Sequence, residues 1–181
     1  MKQPAIRITI TAERISDDEV RRIERILCAG FDWVHLRYPD STEEQLRQLL
    51  RRIPRELHGR LRLHDHFDLA REFCVGGLHL NGRNPRRPEW WAGPTSRSCH
   101  TLEEVGRSSD CDYVTLSPIF DSISKAGYRA AFSDEELRRL NEIDSPSVIA
   151  LGGISPQTIG RLKPYAFAGY AVKGAIDLFL E

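Results

Sequence analysis

Apolar residues along this chain follow two alternating patterns. Eight short runs of apolar and β-branched residues are typical of buried strands, and most are separated by polar stretches with apolar residues at helical spacing. Strands that alternate with helices in this way predict βα units and a parallel sheet. The predicted strands are Ala5–Thr11, Trp33–Tyr38, Leu61–His66, Gly77–Asn81, Thr95–His100, Tyr113–Phe120, Val148–Ile154 and Phe167–Val172.

The predicted helix starts carry clear signals. A Ser or Thr followed three residues later by Glu matches the capping box, in which both residues satisfy free backbone N–H groups. Such pairs are Ser16/Glu19, Ser41/Glu44, Thr101/Glu104 and Ser133/Glu136, and Ser155-Pro156 is a cap followed by proline. Behind the caps, apolar stripes predict helix faces that pack on the sheet: Val20, Ile23, Ile26 and Leu27; Leu46, Leu49, Leu50 and Ile53; Leu137, Leu140 and Ile143.

Eight strands with intervening helices predict an α/β fold of the (β/α)8 TIM-barrel type, in a single domain over residues 1–181. Because such barrels usually need roughly 250 residues, this one must be trimmed. Residues 82–94 lack a helical period and only residues 177–181 follow the last strand, so the fourth and eighth helices should be short or missing. The alternative architecture is an open, doubly wound sheet.

Composition narrows the class of partner. The formal net charge is zero, which argues against nucleic-acid and anionic-membrane binding. We recognise no signal peptide and no apolar run of transmembrane length, so we expect a cytoplasmic protein. The four cysteines lack metal-ligand spacing and are expected to be free, buried thiols. Missing helices leave apolar surface that a second copy could cover, which keeps a homodimer open.

The turns after the last two strands are candidates for phosphate binding, because these loops commonly bind phosphate in such barrels. Gly152 and Gly153 follow strand seven just before a predicted helix, where backbone N–H groups and the helix dipole favour an anion. Lys173 follows strand eight, in a chain that contains few lysines. The alternative is that the two glycines serve only the backbone angles of a tight turn.

A polar loop follows strand six and carries Ser122, Ser124 and Lys125. Two hydroxyl groups and one ammonium group suit a pyrophosphate, which offers many acceptor oxygens and needs its charge neutralised. The alternative is an ordinary solvated loop.

Strand two places His35 and Arg37 on one face. An arginine inside a barrel is costly unless it meets an anion or a carboxylate, and its guanidinium suits phosphate. A structural salt bridge from Arg37 to Asp65 is the alternative. Asp65, after strand three, could hold a divalent ion or a substrate amine, or could cap a helix.

Histidines on successive strands support a hypothesis of another class. His35, His64 or His66, and His79 could form a transition-metal site, as in a metal-dependent hydrolase. Near the missing fourth helix, Trp90 and Trp91 are either a dimer or ligand surface or a local cap over the shortened segment.

Taken in order, these motifs resemble the thiamine phosphate synthase superfamily, which includes a thiazole tautomerase branch. The likeness runs from strand two to strand eight. Its motifs are Val34-His-Leu-Arg-Tyr38, Leu63-His-Asp-His-Phe-Asp-Leu-Ala70, Gly76-Gly-Leu-His-Leu-Asn81, Ser98-Cys-His100, Ser117-Pro-Ile-Phe120 with Ser122, Ser124 and Lys125, Leu151-Gly-Gly-Ile154 and Gly169-Tyr-Ala-Val172.

The resemblance implies a transferase of thiamine biosynthesis that acts on small phosphorylated substrates. A hydroxymethyl-pyrimidine pyrophosphate loses pyrophosphate, and the nitrogen of a thiazole phosphate attacks the methylene. By the same resemblance Arg37, Ser98 and Lys125 hold the pyrophosphate with Mg²⁺, and Ser122 and Ser124 bind thiazole or pyrophosphate oxygens. Gly153 and the turn at Lys173 hold the thiazole phosphate, and Asp65 and Asn84 are the metal positions.

The chain departs from the family pattern at several positions. Pro39 stands where the family has Lys. His35 and His64 replace a Gln and an Asn, and by the resemblance both are expected to bind substrate. Asn84 replaces a second metal-binding Asp, and a neutral ligand would weaken Mg²⁺ binding. Ser117 stands where the tautomerase branch has His, which disfavours that activity. Pro39 and Asn84 also support a non-enzymatic alternative, a degenerate relative that binds thiamine phosphates or their precursors without turnover.

Overall fold

A closed barrel of eight parallel strands forms the centre of the molecule. The structure is a computed structural model that describes residues 6–121, 130–143 and 146–180. Each strand pairs with the next along the chain, and β8 pairs with β1. The strands are β1 (Ile6–Ile10), β2 (Trp33–Leu36), β3 (Leu61–Leu63), β4 (Gly77–Leu80), β5 (Thr95–Cys99), β6 (Tyr113–Leu116), β7 (Ser147–Leu151) and β8 (Gly169–Val172).

The closed barrel confirms the predicted fold class, and the alternative open sheet is wrong because β1 has a strand neighbour on both sides. All eight predicted strands are present. Most of the predictions run past the carboxyl end of the observed strand, since those last residues begin the loops of the barrel mouth.

Helices cover the barrel unevenly. The α-helices are α1 (Glu19–Cys28), α2 (Glu43–Arg52), α3 (Leu102–Gly106) and α4 (Asp134–Arg138). Short 3-10 helices span Arg55–Arg60, Phe67–Arg71, Arg139–Glu142, Ile159–Leu162 and Ile176–Phe179. The link from β4 to β5 has no helix and β8 is followed by a 3-10 turn only, as predicted. The trimming goes further than predicted, because the described links after β3 and β7 also contain only 3-10 turns.

Two of the predicted helix caps are confirmed. Ser133 and Glu136 form a complete capping box on α4, and Thr101 accepts the backbone N–H of Glu104. On α2 the box forms one residue later than predicted, between Thr42 and Gln45, because the helix begins at Glu43.

The other two caps were wrong. Ser16 bonds the carboxylate of Glu19 without capping α1, which begins at Glu19 itself. No α-helix follows Ser155; its backbone N–H meets the hydroxyl of Thr158 in a turn. The helix dipole that we expected behind the Gly152-Gly153 turn is therefore absent from the described structure.

Alternation along each strand separates two cores. Outward side chains, such as Val34 on β2 and Leu63 on β3, pack beneath the helices with the predicted stripes of α1 and α2. Inward side chains form a smaller apolar cluster of Ile8, Tyr113, Ile149 and Ala171. The inward positions of β2 to β5 are instead mostly polar and include His35, Arg62, His64, His79 and Ser96, all buried. One half of the barrel interior is therefore a hydrogen-bonding surface.

Two local expectations can be compared with the structure. Trp91 packs on the core and donates its indole N–H to the Pro94 carbonyl, while the guanidinium of Arg71 lies 4.0 Å from the ring centre of Trp90. The pair therefore covers the helix-free segment locally.

All four cysteines are free, but Cys28 and Cys74 are exposed, so the expectation that all are buried was wrong. None of the described helices is long and apolar enough to cross a membrane.

Candidate active site

A cavity of about 930 Å³ opens at the carboxyl ends of the strands. Parallel strands of a barrel all end on the same side, so the loops that follow them meet around one opening. Predicted site residues from five strands or strand ends line it: Arg37, His64, Ser98, Gly152, Gly153 and Lys173. Its apolar wall is formed by Ile10, Pro118, Phe120, Leu151 and Leu178. A polar wall thus faces an apolar wall, an arrangement suited to an aromatic ligand that carries anionic groups.

Arg37 and Lys173 enter the cavity from opposite sides of Glu13, which follows β1. The Lys173 ammonium lies 3.4 Å from Glu13 Oε1, and Arg37 Nη1 lies 3.8 Å from the same oxygen. The salt bridge from Arg37 to Asp65, which was the alternative to anion binding, is not formed. Nη1 of Arg37 is buried and has no hydrogen-bond partner among the described residues. A buried donor without an acceptor is costly, so an incoming oxyanion would satisfy this arginine.

The Gly152-Gly153 turn needs glycine at both positions. Their φ angles are +99° and +64°, in the region that L-residues with a side chain rarely adopt. A Cβ at Gly153 would lie 2.3 Å from the Asp121 carbonyl oxygen. The turn is also held against the β6 loop, because Phe120 donates its N–H to the Gly152 carbonyl. Backbone geometry therefore accounts for both glycines, and their backbone still lines the cavity.

Ser98 stands at the boundary between the cavity and the barrel interior. Its hydroxyl lies 2.8 Å from Nε2 of His79, whose Nδ1 lies 2.8 Å from the hydroxyl of Ser96. A fully buried imidazole with a hydroxyl on each nitrogen fixes the orientation of both serines. Ser98 is therefore held in place from below and presents its oxygen toward the cavity.

Three buried imidazoles form what we call the imidazole cluster: His35, His64 and His79. Nδ1 of His35 lies 2.9 Å from Nε2 of His64, and the rings of His64 and His79 stack at 4.1 Å between centres. Nε2 of His35 lies 2.6 Å from the hydroxyl of Tyr113. His64 reaches the cavity, whereas His35 is completely buried beneath it. His35 thus supports the floor of the site and does not line it.

Burial keeps the imidazole cluster neutral. Desolvation lowers the pKa of His35 and of His64 well below the ordinary value for histidine, and the neighbouring imidazoles add to the shift. The pKa of His79 falls to about 3, again mainly through burial and then through the charge of Arg97. Burial also raises the pKa of Tyr113 to about 12. The imidazole cluster is therefore polar but uncharged near neutral pH.

The imidazole cluster also meets the simplest geometric condition for a metal site, since its ligand atoms all lie within 4.8 Å of one another. However, five of the six ring nitrogens are already engaged in hydrogen bonds of 2.6–2.9 Å. A transition metal would have to displace those partners. The arrangement is that of a satisfied hydrogen-bond network.

The predicted magnesium positions are engaged with each other and with an arginine. Arg83 donates through Nε and Nη2 to the two oxygens of Asp65, at 2.9 and 2.8 Å. Asn84 donates its amide N–H to Asp65 Oδ1 at 3.0 Å and to the His64 carbonyl at 3.0 Å. Mg²⁺ needs oxygen ligands with free lone pairs. Asp65 and Asn84, as placed, do not fit such a site, and the predicted magnesium stays a prediction.

Sequence reasoning missed three charged residues of the cavity, Glu13, Arg83 and Asp177. Glu13 and Arg83 each lie three residues beyond the end of a strand, β1 and β4 respectively. That position at the mouth of a predicted barrel was the available signal. Three predicted residues of the β6 loop, Ser122, Ser124 and Lys125, lie outside the described residues, so their roles stay predictions.

The fold agrees with a comparison to known proteins. A family model described as thiamine monophosphate synthase matches residues 7–176. The chain belongs to this family.

Individual relatives extend the match. A thiamine-phosphate synthase of Flavobacterium johnsoniae is 25% identical over 177 residues, which cover 88% of this chain and 82% of the relative. One from Limosilactobacillus reuteri is 30% identical over 117 residues, covering 60% of this chain and 54% of the relative. These thiamine-phosphate synthases give the metal-dependent hydrolase hypothesis no support.

Solved structures agree with the fold of the family. The crystal structure of a thiamine phosphate pyrophosphorylase from Bacteroides thetaiotaomicron superimposes with a TM-score of 0.83 at 34% identity, covering 97% of this chain and 94% of that one. A thiamine phosphate pyrophosphorylase from Pyrococcus furiosus, with a TM-score of 0.79 at 18% identity, covers 98% and 93% and supports the fold alone.

Proposed function

We propose that this protein is a thiamine phosphate synthase-like transferase. It joins hydroxymethyl-pyrimidine pyrophosphate to thiazole phosphate and releases pyrophosphate. Family membership supports the reaction class. The observation that carries the proposal is the buried Nη1 of Arg37, which lies 3.8 Å from Glu13 Oε1 but makes no hydrogen bond to the described residues, in a cavity that also receives Ser98 and Lys173.

The first chemical requirement is to stabilise the leaving group. The bond between the methylene carbon and the pyrophosphate oxygen breaks, and the oxygen keeps the electron pair. Arg37 donates from its guanidinium and Ser98 from its hydroxyl to the oxygens on which charge develops. Lys125 is predicted to add a third donor from the β6 loop. Fixed donors stabilise this charge better than mobile water, because they need no reorganisation during the reaction.

The second requirement is to hold the nucleophile in line. The thiazole nitrogen forms the new bond to the methylene carbon and becomes positively charged. Lys173 and the backbone of the Gly152-Gly153 turn bind the thiazole phosphate in the proposal, with Ser122 and Ser124 as predicted additional donors. A phosphate clamp of this kind converts an encounter of two molecules into a reaction between two positioned groups.

The apolar wall supplies the third requirement, exclusion of water. Pro118, Phe120 and Leu151 lie opposite the polar wall, where the two heteroaromatic rings would stack. An electron-poor methylene carbon reacts with water if water reaches it, so a dry wall protects the intermediate state. Beneath it, the imidazole cluster is neutral and adds no positive charge of its own. Magnesium and a cytoplasmic location remain predictions, and no step proposed here uses the ion.

Product analysis tests the proposal. The purified protein is incubated with both precursors, with and without Mg²⁺, and thiamine phosphate is sought by mass spectrometry. We expect product from the wild type and losses of at least about tenfold for R37A and K125A, since each removes a charged donor from the leaving group. R51A is the matched control, because Arg51 is exposed on α2, away from the cavity.

Product analysis and calorimetry together distinguish the synthase from the non-enzymatic alternative. Pro39 and Asn84 favour a binder without turnover, since each stands where the family pattern has a charged residue. Calorimetry that detects binding of both precursors, together with no product under any condition, would replace the synthase by this alternative. Product that is insensitive to R37A and K125A would leave the synthase but remove the proposed roles.

A further inference from the structure

We infer that the guanidinium of Arg83 takes the place predicted for magnesium, so that pyrophosphate is bound and released without a divalent cation. The inference rests on the proposed function, because it concerns the leaving group of that reaction. It starts from the disagreement between the predicted metal positions, Asp65 and Asn84, and the bonds that these two residues make.

Asp65 is committed to Arg83 through both of its oxygens. The two parallel bonds, at 2.9 and 2.8 Å, form the bidentate geometry in which a guanidinium matches a carboxylate best. The Asp65 side chain is only 14% exposed, whereas that of Arg83 is 43% exposed. A metal ion at Asp65 would have to compete with this bidentate arginine. The less exposed carboxylate therefore serves as an anchor, and the more exposed guanidinium is what it presents.

Asn84 cannot share a metal with Asp65 in this arrangement. Its amide nitrogen contacts two groups, the Asp65 carboxylate and the His64 carbonyl, and both are acceptors. Two acceptors fix the amide with its NH₂ group toward them and its oxygen away. Asn84 thus adds a third donor to Asp65, while a metal site would need a second oxygen ligand there.

The net charge of the site supports the inference that Arg83 replaces the metal. A magnesium ion and two carboxylates together have a net charge of zero. Asp65, Arg83 and a neutral Asn84 also sum to zero. A guanidinium has five N–H donors, and two of them bind Asp65, so three remain on a residue that lines the cavity. These donors can do for a pyrophosphate what open coordination positions on a metal would do.

Arg83 is held both at its backbone and at its guanidinium. Its backbone N–H donates to the side chain of Asn81 at 2.9 Å, and the Asn81 amide donates to the His64 carbonyl at 2.8 Å. The turn is thereby tied to the end of β3, next to Asp65. An arginine keeps its charge at any working pH. A cation held in this way is preorganised, as required for stabilising a leaving group.

Pyrophosphate binding tests the inference separately from catalysis. Calorimetry with inorganic pyrophosphate in excess EDTA should detect binding to the wild type. R83A should weaken it by about tenfold or more, and R83K should only partly restore it because lysine lacks the fork. R86A is the matched control, an exposed arginine of the same loop that does not line the cavity. Binding that appears only when Mg²⁺ is added would overturn the inference.

A variant in which the metal site is restored should behave in the opposite way to the wild type and bind a divalent cation. The double variant R83A/N84D frees Asp65 and supplies a second carboxylate, so we expect it to bind Mn²⁺ in paramagnetic resonance titrations and the wild type not to. If the wild type makes thiamine phosphate, EDTA should leave its kcat unchanged, whereas the double variant should need Mg²⁺. A chelator-sensitive wild type would refute the inference and leave the synthase intact. A wild type that makes no product would refute the synthase, and the calorimetry would still decide the role of Arg83.

Discussion

Acidification should destabilise this protein through its imidazole cluster. His79 is completely buried and its pKa falls to about 3 from an ordinary 6.5, mainly because burial disfavours the charged form. Unfolding exposes the ring, which then binds a proton below pH 6.5. Since the unfolded chain binds more protons than the folded one, stability is complete above pH 6.5 and is lost as the pH falls toward 3.

The expected loss is large on the scale of protein stability. Between pH 7.5 and pH 5 the unfolded state gains about 2 kcal/mol from protonation of this one histidine, and about 5 kcal/mol once the pH reaches 3. His35 and His64 act in the same direction, since their pKa values are lowered by the same burial. Such losses are comparable with the roughly 5–15 kcal/mol that stabilises a typical domain.

Urea denaturation at a series of pH values measures the effect. The free energy of unfolding should fall below pH 6.5 with a slope equivalent to more than one proton. H79Q should reduce that slope by about one proton, because glutamine does not titrate and can still bond the serine hydroxyls. His100 is exposed, so H100Q is expected to keep the wild-type slope. Stability that stays constant from pH 7.5 to pH 5 would refute the burial of these rings as uncharged groups.

Further expectations concern the turn and the charges of the cavity. G153A should lower the free energy of unfolding by about 1–3 kcal/mol through its positive φ and the contact with the Asp121 carbonyl. G160A, where an added Cβ meets no atom within 4 Å, should change it by less than about 0.5 kcal/mol in the same urea assay. E13Q removes a carboxylate that faces Arg37, so pyrophosphate should bind up to about fivefold more tightly in calorimetry, and less so at high salt. Unchanged affinity at low salt would argue that Glu13 does not compete with the ligand.

Much of the barrel was predictable because it depends on local patterns. The strand at Gly77–Leu80 and the apolar stripe of α2 were recognised from the spacing of their apolar residues. This spacing is local, because side chains alternate between the two faces of a strand and recur every three to four residues on one face of a helix. The positive φ angles of Gly152 and Gly153 agree with the alternative given for them, a tight turn that needs glycine. The helix expected after Ser155 was wrong, since a cap signal specifies where a helix can begin but not whether the following residues have a surface to pack on.

The site was predicted less completely, because its chemistry depends on pairs that are distant in the chain. Arg37 and Lys173 were placed correctly at the mouth of the barrel, yet their shared partner Glu13 was missed. His35 was expected to bind substrate and instead lies beneath the cavity, bonded to Tyr113 from four strands away. Such contacts arise only when the sheet closes.

The sequence alone determined that eight strands would form a parallel barrel and that its mouth would carry cationic groups, because periodicity and strand-end position are local properties of the chain. Only the tertiary structure decided which charges neutralise each other there. Asp65 meets Arg83 and not Arg37, since loop lengths and the packing of the turn at Asn81 set which side chains come within hydrogen-bonding distance. A short-range interaction depends on position to within an ångström, and the closed barrel fixes that position.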